Sequence, residues 1–66
     1  MSKSVRHLFA DMTAAIEDLH GVAVEGQAAN LSPDIQLTLT RNLRAGISRL
    51  NEIAASIALA LGGAKR

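Results

Sequence analysis

Apolar positions recur at three- and four-residue steps along almost the whole chain. In the first half they are Val5, Leu8, Phe9, Met12, Ala15, Ile16, Leu19, Val22 and Ala23. At about 100° per residue these positions line one stripe of a helix. Arg6, His7, Asp11, Glu17, Asp18 and Glu25 fall opposite. The second half repeats the pattern more cleanly. Ile35, Leu39, Leu43, Ile47, Leu50, Ile53, Ala54, Ile57 and Leu61 make the stripe, and Arg41, Arg44, Ser48 and Glu52 face away from it. Gly46 falls on the apolar side, where it costs about 1 kcal/mol of helix propensity and opens room for a neighbouring helix.

Between the halves stands "NLSPDIQLTL", residues 30–39, with the chain's one proline. Ser32 suits an N-cap, because its hydroxyl can accept from the free N–H groups of a first turn. Pro33 suits the first helical position, where its missing N–H is no loss. Asp34 sets negative charge against the positive end of the helix dipole. The residue before a proline is pushed out of the α conformation, so the first helix ends by about residue 30. A connection as short as Asn30-Leu31-Ser32 makes the flanking helices antiparallel.

The expectation is therefore an all-α fold, an antiparallel two-helix hairpin of about 3–29 and 33–61. Gly62-Gly63 is expected to end the second helix, with Lys65 and Arg66 near the negative end of its dipole. Gly21 and Gly26 raise an alternative, a first helix stopping at His20 and a short one over 22–29. The stripe keeps phase through Val22 and Ala23, which favours one continuous helix.

Length makes the hairpin incomplete. A domain of 66 residues buries only about 60% of its unfolded surface. Scaffolds of this size lean on disulfides, a metal or a partner chain. With no cysteine, disulfides and thiolate metal sites are excluded. Two stripes packed face to face also leave their flanks in water. Pairing two hairpins into a four-helix bundle, as a closed homodimer, covers them.

The sequence reads as a single domain over 1–66, without linker, signal or transmembrane segment. Its most apolar run, residues 53–64, is shorter than the ~20 residues a membrane span needs. The expected location is cytoplasmic, and no membrane partner is expected.

Net charge is +1, too balanced to point to nucleic acid or membrane by itself. One Phe, no Tyr and no Trp leave little for base stacking or sugar binding. The charges are segregated. Asp11, Glu17, Asp18 and Glu25 lie in the first helix, and Arg41, Arg44 and Arg49 in the second. The expectation is that they pair within the hairpin or across a dimer and fix its orientation.

Candidate chemistry is sparse. Glu17-x-x-His20 has the spacing of ligands in di-iron carboxylate bundles, so a metal-binding bundle through Glu17 and His20 is one alternative. On a helical wheel Glu17 lies well outside the stripe and His20 at its flank. Arg41, Arg44 and Arg49 offer phosphate contacts, so an RNA- or DNA-binding regulator is another. No nucleophile elbow or Gly-rich phosphate loop is present, and no cofactor is expected. Ala10 and Ala14 line the back of the first helix, and Leu59 lies near the back of the second. The favoured reading is a non-enzymatic interaction protein, a regulator, inhibitor or assembly component. It would present Arg41, Arg44, Leu59, Ala10 and Ala14 to another protein.

Overall fold

The computed structural model describes residues 3–62, which form two helices packed against each other as a hairpin, α1 (Val5–Glu25) and α2 (Pro33–Ala60). Both helices begin on a serine cap. Ser32 is extended (φ −71°, ψ 156°), and its Oγ accepts from the Ile35 N–H at 3.3 Å. Pro33 and Asp34 occupy the first turn as their chemistry dictates. Ser4 does the same for α1, accepting from the His7 N–H at 3.2 Å. That cap sets the start of α1 at Val5 rather than residue 3.

α1 runs straight through Gly21, so the broken-helix alternative is not what forms. It stops at Glu25, short of the expected residue 29. Gly26 keeps a helical φ and donates back to the Val22 and Val24 carbonyls. Gln27 and Ala28 then close only short turns onto Val24 and Glu25. Asn30 takes a left-handed conformation (φ 67°) that reverses the chain, a state asparagine adopts more readily than most residues. The connection is therefore the longer stretch 26–32. α2 ends at Ala60, and Gly62 follows at φ 79°, a left-handed geometry natural to glycine at a helix end. The expectations for Gly63, Lys65 and Arg66 lie outside the described residues.

The helix register follows from packing. A Cβ built on Gly46 would lie 2.8 Å from Cγ and Cδ2 of Leu19. A side chain there would force Leu19 to move, so glycine is what lets the backbone of α2 close onto Leu19 as it stands. With Leu19 level with Gly46, the same antiparallel step sets Met12 level with Ile53 and Leu8 level with Ile57. These residues join Ala15 and Leu50 in one cluster. Only Ala15, Ile53 and Ile57 in it are buried. The core is thus a thin strip between two helices, in a hairpin 48 Å along its long axis.

Candidate interaction surface

The two long sides of the hairpin differ in character. On one side Asp18 of α1 lies across a groove from Asn42 and Arg49 of α2. On the other, Ala23 of α1 lies across from Gln36 and Thr40. Those pairings fix which flank of α1 adjoins which flank of α2. Stepping along the Ala23 side at about 100° per residue gathers Val5, Phe9 and Ile16 from α1 with Ile47, Ala54 and Ala58 from α2. This is a broad apolar face. Phe9, Ile16 and Ile47 on it are 53%, 50% and 53% exposed. The opposite face carries Asp11, Asp18, Asn42 and Arg49.

The apolar face is graded along its length. Towards the open end of the hairpin it offers Phe9, Ile16, Ile47 and Leu61, all at least half exposed. Towards the turn it offers Gln27, Gln36 and Thr40 around Ala23. The Thr40 hydroxyl is already used, donating to the Gln36 carbonyl at 2.8 Å.

The residues singled out from the sequence lie elsewhere. Arg41 and Arg44 stand exposed on the outer surface of α2, about 60° apart around the helix, and Arg49 is about 80° beyond Arg41. The three arginines do not share one face. Ala10 and Ala14 are exposed on the outside of α1, and Leu59, 64% exposed, is on the outside of α2. The structure brings Leu59 beside Lys3 and Leu8 at the open end, away from Ala10 and Ala14. Glu17 and His20 are both exposed on α1, and no third histidine or carboxylate joins them among the described residues.

The expected arginine–carboxylate pairing does not form inside the hairpin. Among the described residues the ion pair is Lys3 with Asp11, at 2.6 Å. Arg41 and Arg44 point away from α1, which puts the acids of α1 out of their reach. Arg49 alone comes near enough to act on Asp11. The Lys3 hydrogen bond holds the Asp11 carboxyl below the ordinary carboxylate range, and the charges of Lys3, Arg49 and His7 act in the same sense. Loss of hydration, second in size to that hydrogen bond, opposes them.

Sequence reasoning missed Phe9, Ile16 and Ile47 as contact candidates. The signal was present: in an antiparallel pair, flanks reached by the same sense of rotation from the core lie on the same side. Applied to both wheels, that rule gathers these three.

Among the described residues no helix is long and apolar enough to cross a membrane. Comparison with protein-family models, curated proteins and solved structures finds no significant match.

Proposed function

We propose that this protein is a non-enzymatic protein–protein interaction module whose hairpin self-associates into a four-helix bundle. The outer helix surfaces are then left free for a further protein, which it serves as a regulator, inhibitor or assembly component. The observation that carries this reading is the mismatch between core and surface. Among the described residues three are buried, while eight large hydrophobic side chains are about half exposed or more, Phe9, Ile16, Ile47 and Leu61 of them on the apolar face. Fully burying such a side chain is worth about 1.5–3 kcal/mol, so each half-exposed one on the apolar face retains roughly 1 kcal/mol to gain. A second copy supplies a face of the same chemistry at no cost in new sequence, and closed two-fold pairs are the commonest oligomers. Arg41, Arg44 and Leu59 stay outside such a bundle, so they remain the positions at which a different protein would dock.

Thermal unfolding at varied protein concentration tests the self-association. A two-chain native state melts at a higher temperature as concentration rises, and a monomer does not. Wild type is expected to show the rise over roughly a hundredfold range. Ile47→Glu, which charges the apolar face at a site already half exposed in the hairpin, is expected to abolish it. Leu59→Glu, on the outer surface, is expected to preserve it. A concentration-independent melting temperature for wild type would overturn the reading.

A further inference from the structure

Resting on that self-association, we infer that the two hairpins pair with their turns at the same end of the bundle, about a two-fold axis parallel to the helices. The partner is a second copy of this chain, and the grading of the apolar face sets its orientation.

Two closed arrangements bring the apolar faces together. With turns at the same end, α1 of one copy lies over α2 of the other. With turns at opposite ends, α1 lies over α1 and α2 over α2. Every neighbouring helix is antiparallel in both, so helix dipoles do not choose between them. Side chains do.

At the same end, each level of the face meets its own level. Phe9 falls opposite Ala54 and Ala58 of the second copy, a large side chain over two small ones. Ile16 meets Ile47. At the turn end Gln36 meets Gln36, and a side-chain amide carries both the donor and the acceptor that such a meeting requires. At opposite ends with full overlap, Gln27 and Thr40 lie under Phe9, and Gln36 lies under Leu61. Two amides would then face hydrocarbon without partners, which is the costly case for a buried polar group. Sliding the copies until only the open halves overlap avoids that mismatch but gives up about half of the contact. A face of a hairpin measuring 48 × 20 × 18 Å offers a footprint on the order of 900 Å², against ~800 Å² per partner in a stable interface. Full overlap reaches that size, and half overlap does not.

Disulfide trapping tests the orientation, since the chain has no cysteine of its own. A disulfide requires Cα atoms within about 7 Å. Gln36 and Ala54 both point towards the proposed axis, one near the turn and one near the open end. Under oxidised glutathione, Gln36→Cys and Ala54→Cys are each expected to convert most of the chain to a self-linked dimer. Leu59→Cys, on the outer surface, is expected to remain unlinked. Gln36→Cys that links only when mixed with Leu61→Cys places the turns at opposite ends and overturns the inference. No Gln36→Cys link in a preparation that sediments as a dimer overturns it as well, while self-association stands. A reduced variant and a wild type that both sediment as monomers remove the self-association and the orientation with it.

Discussion

Replacing Gly46 with alanine tests the register of the hairpin, because two opposing effects of known size meet at one atom. In an exposed helix interior, Gly→Ala stabilises by about 1 kcal/mol through propensity. At Gly46 the new Cβ would sit 2.8 Å from Cγ and Cδ2 of Leu19 and 3.4 Å from Cδ1. Rotating the tip of Leu19 moves the Cδ atoms but not Cγ, so relief needs a change at its χ1 or a backbone shift. Overpacking of this kind costs about 1–3 kcal/mol. The clash therefore wins or breaks even, and the net effect is a loss of about 0–2 kcal/mol. Gly21 supplies the control. It is also inside a helix, and nothing lies within 4 Å of its built Cβ. Gly21→Ala should therefore keep its full gain of about 1 kcal/mol. At one fixed protein concentration the two variants are expected to differ by about 1–3 kcal/mol, read as a melting-temperature gap of roughly 5–20 °C. Adding Leu19→Ala to Gly46→Ala removes the clash, so the double variant should be less destabilised than the sum of the singles. If Gly46→Ala raised the melting temperature as much as Gly21→Ala, α2 would not approach Leu19 at this position, and the register would be wrong.

Three further outcomes are expected. Ser32→Ala removes the acceptor for the Ile35 N–H and should cost about 1 kcal/mol by denaturant unfolding, an unchanged midpoint being evidence against a working cap. At Asn30, with φ 67°, a glycine should be tolerated or slightly stabilising, while a β-branched valine should cost about 1–2 kcal/mol. In an NMR titration, Asp11 should ionise below the ordinary aspartate value, and Lys3→Ala should bring it back up. Because the folded value lies below the unfolded one, the contribution of Asp11 to stability is complete above about pH 4. It is lost as the pH falls through the lowered value.

The hairpin was legible because its determinants are local. Ser32-Pro33 marks a helix start whatever surrounds it, and the 3.6-residue stripe names the buried side of each helix. Gly46 on that stripe already implied a close approach. The end of α1 was less legible. Residues 26–29 continue an acceptable helical composition, and the chain leaves the helix there because Asn30 must turn left-handed to bring Pro33 back alongside. The Ser4 cap was readable in principle, through the same chemistry as Ser32, but no proline drew attention to it. The interaction surface was the least legible part. Exposure of Leu59 or Ala10 on a single wheel suggests contact, yet the larger surface arises only where a flank of α1 adjoins a flank of α2. That adjacency belongs to the pair, not to either helix. The arginine–carboxylate pairing within the hairpin failed for a related reason. Arg41 and Arg44 point outward from the hairpin, and that direction also depends on how the two helices pack.

On the proposed function, the face carrying Phe9, Ile16 and Ile47 is covered by a second copy. Sedimentation equilibrium at micromolar concentration measures this directly. Wild type is expected to sediment at about twice the 6.9 kDa chain mass, and Ile47→Glu at the chain mass. A helical wild-type protein that sediments at 6.9 kDa under the same conditions would contradict it.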